Sequence, residues 1–180
     1  MKNNTFKEII KPIIVLTCIC LVVTALLAYI NLITAPVIKA ADEKAAAEAR
    51  AEVLSEADSF TQMDTKGLPD EITEVYKADN GSGYVFMMTT KGYGGDILLI
   101  CGIKSDGSIE KTKTLSHSET SGIGSRVVEN DSPYRKQYVG KTAENVDEVD
   151  AVSGATISSK AYKAAVDAAF KAFDKVKEAK

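Results

Sequence analysis

The chain has one histidine, three cysteines and no tryptophan among its 180 residues. His117 alone cannot build a multi-histidine metal or haem site. Cys18, Cys20 and Cys101 contain no Cys-x-x-Cys spacing, so a disulfide framework or a zinc site finds no support and no metal site is expected. Any redox chemistry must therefore use an organic cofactor. No Gly-x-Gly-x-x-Gly follows a strand and opens a helix, which removes a Rossmann-type nucleotide fold. Nor is there a Ser-His-Asp or Cys-His set to activate a nucleophile, so no catalytic residue is assigned. An excess of positive charge is missing too. The net charge is −3, and setting aside Lys2, Lys7, Lys11 and Glu8 leaves 19 basic and 24 acidic residues, a balance that does not suit nucleic acid.

Charge is absent altogether from Pro12 to Ala35, and Ile13 to Ile33 is apolar almost throughout. That run is long enough to cross a hydrocarbon core of about 30 Å as a helix, and longer than the apolar core of a cleaved signal peptide. A lipoprotein reading of Val15-Leu16-Thr17-Cys18 is weakened by the apolar stretch that continues beyond it. Lys2, Lys7 and Lys11 before the run, against Lys39 after it, predict residues 1–11 in the cytoplasm, a membrane span over 12–35 and the remainder outside. Pro36 marks the exit. Residues 36–58, rich in Ala, Glu and Lys from Val37 to about Glu56, read as an exit helix linking the span to a domain over 59–180.

Within that domain, a polar connection through Gly67-Leu68-Pro69 precedes short strand-like runs. They cover Glu71–Ala78, Tyr84–Thr90, Ile97–Ile103 and Ile109–Leu115, with turn signals at Asp79-Asn80-Gly81 and Ser105-Asp106-Gly107-Ser108. Sequential strands joined by tight turns predict a largely antiparallel sheet. Flanking helices make the class α+β: one transmembrane helix, then one extracytoplasmic domain.

From Thr156 to about Lys177, Tyr162, Val166, Phe170, Phe173 and Val176 recur at helical spacing, opposite Lys160, Lys163, Asp167, Lys171, Asp174 and Glu178. This is an amphipathic helix docked on a core. It begins at the end of Asp150-Ala151-Val152-Ser153-Gly154-Ala155-Thr156. Ser153 is placed to cap it, and Gly154 and Ala155 allow close approach to the backbone. Unpaired N–H groups, the positive end of the helix dipole, and Lys160 one turn on make this helix start attractive to a phosphate.

The heptapeptide resembles the D-x-x-[S/T]-G-A-T flavinylation motif of the FMN-binding domain family found in the G subunit of the Rnf complex. The C subunit of the sodium-pumping NADH:quinone reductase shares that motif. The resemblance implies FMN attached covalently through its phosphate to Thr156, by a separate flavin transferase that reads Asp150 and the Ser153-Gly154-Ala155 approach. Two glycine-rich stretches extend the likeness. Lys91-Gly92-Tyr93-Gly94-Gly95-Asp96 resembles a G-Y-G-G segment that begins a core strand near the flavin. The stretch from His117 to Arg126 resembles H-x-E-T-P-G-L-G, which lies against the isoalloxazine ring, with Ser121 in place of Pro and Ile123 in place of Leu. It implies flavin contacts from His117, Glu119, Thr120, Gly122, Ile123 and Gly124, in which the glycines bring backbone N–H groups near the ring and Ile123 packs on it.

The likeness runs along nearly the whole chain. It implies a membrane-anchored electron carrier within an Rnf-type ferredoxin:NAD oxidoreductase that moves Na+ or H+, with the other membrane subunits as partners. The length of 180 residues favours the Rnf G subunit over the longer quinone-reductase C subunit. An anchored binding module without redox chemistry is the alternative from another class, in which Ser153 to Thr156 is only a capped helix start. A flavin-dependent reductase of soluble substrates would need a second catalytic domain for which the chain has no room.

Overall fold

The computed structural model describes residues 9–178. The expected cytoplasmic segment 1–11, with Lys2 and Lys7, lies outside them except for its last three residues. The chain divides into two units, Met1–Lys44 and Ala45–Lys180.

The described part of the first unit is helical, the larger part of a helix α1 that runs from Lys11 to Val53. Residues 9–45 are exposed throughout, and the apolar stretch of the helix is long enough to cross a membrane. Two hydroxyls in the run are satisfied within the helix: Thr17 Oγ1 donates to the Ile13 carbonyl at 2.8 Å and Thr34 Oγ1 to that of Ile30 at 3.0 Å. Pro36 does not end the helix but lies inside it. The cost of Pro36 is one missing N–H, which leaves the Leu32 carbonyl without its usual donor while the turns on either side continue.

The second unit begins at Ala45, not at residue 59. Its sheet has five antiparallel strands in chain order: β1 Phe60–Met63, β2 Ile72–Ala78, β3 Gly83–Lys91, β4 Asp96–Lys104 and β5 Ile109–His117. Four of these match the expected runs, while β1 falls in the segment read as a polar connection. The β4–β5 turn closes as its sequence predicts, with Asp106 Oδ1 accepting from Ser108 N at 2.8 Å and Gly107 N donating to the Lys104 carbonyl at 2.9 Å.

Helical segments cover both faces of this sheet. On one lies helix α4, Thr156–Glu178, whose Tyr162, Val166, Phe170, Phe173 and Val176 are buried with Tyr84, Phe86 and Met88 of β3 and Ile97, Leu99 and Ile103 of β4. On the other, Ala49, Val53 and Leu54 pack against Val85, Met87 and Ile100. That two-sided cover explains why β3 is apolar at nearly every position instead of alternating. It also corrects the reading of residues 36–58 as a linker, because Ala49, Val53 and Leu54 are fully buried core residues.

Polar contacts fasten this end of α1 to β5. Glu52 carries ion pairs to Lys111, at 2.6 Å, and to Lys113, while Ser55 N and Oγ donate to Glu110 Oε1 at 3.0 and 2.5 Å. Hydrogen bonds from the two ammonium groups hold the Glu52 carboxyl down at about 2, against an ordinary 4.5. A carboxylate with a depressed folded-state pKa stabilises the fold above its unfolded value and loses that contribution as the pH falls through the folded one. Glu52→Gln is therefore expected to lower stability by about 1 kcal/mol above pH ~5, since the pair is partly solvent-exposed. The difference from wild type should vanish toward pH 2 in thermal melts of the two proteins. A difference that stays constant down to that pH would contradict this.

Two short helices complete the unit, α2 Ser125–Val128 and α3 Pro133–Lys136. Ser132 caps α3 by accepting from Tyr134 N at 3.2 Å, with Pro133 in the first turn where its missing N–H costs nothing.

Candidate functional site

Pairing of β4 with β5 sets His117 opposite Ile97, so the chain leaves the sheet beside the turn that joins β3 to β4. The two glycine-rich stretches, 25 residues apart, thus meet: Gly94 N donates to Glu119 Oε1 at 3.3 Å. Helix α4 starts against the same place, and Ser158 Oγ donates to Glu119 Oε2 at 2.7 Å. Three segments converge on one buried carboxylate.

Between them opens a cleft of about 640 Å³. Gly154, Ala155, Thr156, Ile157 and Ser158 line one side, Glu119, Thr120, Ile123 and Gly124 another, and Tyr93 stands at the turn. The volume lies within the ~300–1,000 Å³ of small-molecule and cofactor sites. Tyr93, Ile123 and Ile157 are 71%, 53% and 57% exposed; with Val139 they are the large apolar side chains left in solvent among the described residues of this unit. Three of four on one cleft suit a flat apolar ligand.

The start of α4 differs from its expected form. Ser153 does not cap it. The chain turns at Ser153-Gly154, with Gly154 at φ +82°, and the helix begins at Thr156, which leaves Ala155 in the cap position. The first helical bond runs from Ser159 N to the Ala155 carbonyl at 2.9 Å. An alanine side chain has nothing to offer the first-turn donors, so the N–H groups of Thr156, Ile157 and Ser158 have no protein acceptor among the described residues. The role expected of Ser153, tying the motif to the helix, falls to Ser159, whose Oγ accepts from Val152 N at 3.1 Å.

The geometry brings together Thr156, Gly154, Ala155, Glu119, Thr120, Ile123 and Gly124 of the expected site. It leaves Ser153, Asp150, Lys160, Gly122 and His117 outside the lining. Lys160 and His117 are exposed, and His117 Nδ1 accepts from Glu119 N at 3.2 Å, an arrangement that orders the loop. Asp150 is exposed as well, its backbone N donating to Gln137 Oε1 at 3.1 Å. Gly124, besides lining the cleft, makes room for the carboxylate: a Cβ there would overlap Glu119 Oε2 and come within 3.0 Å of the Glu119 Cβ. Ile157 and Ser158 line the cleft without being expected there, and Ser159 supports it from behind, although the Ser158-Ser159 pair just past the motif is an available sign.

Behind this site lies a buried polar cluster. Tyr134 OH donates to the Ser159 carbonyl at 2.8 Å and meets Tyr138 OH at 2.7 Å. Burial pushes the Tyr134 phenol up to about 12 and the Tyr138 and Tyr162 phenols upward as well, so all three remain neutral donors. Arg135, also buried, donates to Tyr162 OH at 3.2 Å, the Glu129 carbonyl at 3.2 Å, Asn130 Oδ1 at 2.6 Å and the Thr112 carbonyl.

Residues 92–171, which supply every residue lining this cleft, match the family model described as an FMN-binding domain. The G subunit of the ion-translocating oxidoreductase complex of Methanosarcina acetivorans is 34% identical over 94% of this chain and 95% of its own length. The G subunit of the Na+-translocating ferredoxin:NAD+ oxidoreductase complex of Acetobacterium woodii is 29% identical over 90% of each. Its proton-translocating counterpart in Clostridium ljungdahlii is 28% identical over 81% of each. The chain belongs to this family, the G subunits of ion-translocating oxidoreductase complexes.

Proposed function

We propose that this chain is a membrane-anchored flavoprotein electron-transfer subunit of an Rnf-type ferredoxin:NAD oxidoreductase, carrying FMN bound covalently through its phosphate to Thr156. The single observation that carries the reading is the placement of Thr156: exposed, in the cleft, and next to three first-turn N–H groups without an acceptor. A phosphate ester there would accept from those donors and lie at the positive end of the α4 dipole. Tyr93, Ile123 and Ile157 would cover a planar ring, and bound FMN supplies the electron chemistry.

Attachment needs help, because nothing near Thr156 activates its hydroxyl. A flavin transferase using FAD would form the Thr156 Oγ1–P bond as the pyrophosphate bond breaks and AMP departs. Exposed Asp150 and Ser153 are free for that enzyme to read. Other membrane subunits of the complex are the partners in electron flow. Ion movement, of Na+ or H+, belongs to them too, since residues 12–35 carry no charged or acidic residue to build an ion path. The chain crosses the cell membrane once, with its N-terminus in the cytoplasm and the FMN-binding domain outside, on the strength of Lys2, Lys7 and Lys11.

Intact mass of the chain coexpressed with a flavin transferase tests this directly. Wild type is expected to gain one FMN-sized increment and in-gel flavin fluorescence that survives denaturation, and Thr156→Ala to show neither. An active transferase that leaves wild type unmodified would remove the reading and leave the anchored binding module in its place.

A further inference from the structure

We propose that Glu119 is the positioning residue of the cleft and that its negative charge lowers the reduction potential of the flavin held there, an inference that rests on the FMN reading above. The side chain is 8% exposed, lines the cleft, and receives hydrogen bonds from the β3–β4 turn through Gly94 N and from helix α4 through Ser158 Oγ. Three glycines give it room. A Cβ at Gly92 or Gly124 would overlap one or other carboxylate oxygen, and a Cβ at Gly94 would lie 3.0 Å from the Glu119 Cα and overlap the Ser118 carbonyl. Such close approach from two loops is what a fixed, shape-specified position requires.

Its charge is only partly answered. The two partners are a backbone amide and a hydroxyl, and no lysine or arginine pairs with it among the described residues. A carboxylate in a cleft wall, away from bulk water, acts on a neighbouring ring far more strongly than an exposed one. Reduction adds electrons to that ring, so a fixed negative charge opposes it and shifts the potential downward. Glutamine keeps the shape and one acceptor oxygen but removes the charge. Alanine at Ser158 keeps the charge but removes one of its two donors, which leaves the charge less neutralised.

The test is a dithionite titration of the full-length flavinylated protein in detergent, against a reference dye, with the flavin visible spectrum as readout. Glu119→Gln is expected to raise the midpoint potential above wild type and Ser158→Ala to lower it. These opposite signs distinguish a charge effect from a mere loosening of the cleft, which would move both variants the same way. A midpoint for Glu119→Gln at or below that of wild type overturns the inference while the FMN reading stands. Should Glu119→Gln not fold, Ser158→Ala decides alone, and an unchanged or raised potential overturns it. Wild type without flavin overturns both readings together.

Discussion

Gly102→Val should destabilise the domain by about 3 kcal/mol or more, an amount that is a large fraction of the roughly 5–15 kcal/mol holding a domain of this size together. Gly102 sits in the second half of β4, where the final turn of α1 lies against the sheet. A Cβ at this position would lie 2.6 Å from the Val53 carbonyl carbon and closer still to its oxygen, with Leu54 N at 3.3 Å. These are backbone atoms, so no rotamer change can relieve the overlap. The helix end must lift, and Val53, Leu54 and Ala49 then lose their seat against Val85, Met87 and Ile100. Each buried aliphatic side chain of valine or leucine size stabilises a core by about 1.5–3 kcal/mol. Urea unfolding of the detergent-solubilised protein would give the shift in midpoint, and Gly102→Ala should fall between valine and wild type. Equal midpoints for all three would mean that α1 does not belong to the cooperative unit.

Arg135→Ala is expected to cost about 3–4 kcal/mol through a different mechanism. The guanidinium spreads its charge over four acceptors, none of them a carboxylate, and its removal leaves the Thr112 carbonyl and Tyr162 OH buried without this donor. A cavity remains as well. Arg135→Lys should recover less than half the loss, because a single ammonium cannot reproduce a planar fork that serves acceptors on several sides. The effect should reach the cofactor site, since Tyr134 belongs to the same short helix and its hydroxyl holds the Ser159 carbonyl in the first turn of α4. Hydrogen exchange of amides 160–166 would accelerate in Arg135→Ala beyond what the loss of global stability accounts for. Full rescue by lysine would show that charge alone, not the fork, is what this position needs.

Much of this architecture can be read from residue spacing, and the reasons for the failures are physical. Helix α4 is legible because one of its faces is buried along its entire length, which writes a 3.6-residue period into the chain from Tyr162 to Val176. Strands β2 to β5 are legible from apolar runs bounded by turn residues. β1 is not: its four residues, Phe60-Thr61-Gln62-Met63, form an edge strand with only its ends partly buried, so no alternation appears. The end of α1 reads as a spacer because its composition is that of an exposed helix. Its buried contacts with the sheet, at Ala49, Val53 and Leu54, are too few to stand out from the surrounding Ala, Glu and Lys. The heptapeptide locates Thr156, but chain order cannot reveal that Glu119 joins the β3–β4 turn to Ser158, 39 residues away in sequence. Nor can it reveal that Ser159, inside the helix, fastens the motif in place of Ser153, because that contact depends on the turn the chain takes at Gly154.

The sheet pairs strictly in chain order, whereas the two helical segments that cover it come from opposite ends of the unit, residues 45–53 and 156–178. Neighbouring hairpins form quickly because each closes only a short loop. A chain that folds from its N-terminal end would therefore have all five strands paired, and one face already covered, before α4 arrives. Thr156 is the first residue of that last helix. Closure of the larger core and completion of the cleft are then the same late event, and on the reading proposed above a covalent flavin at Thr156 would report that the domain has finished folding.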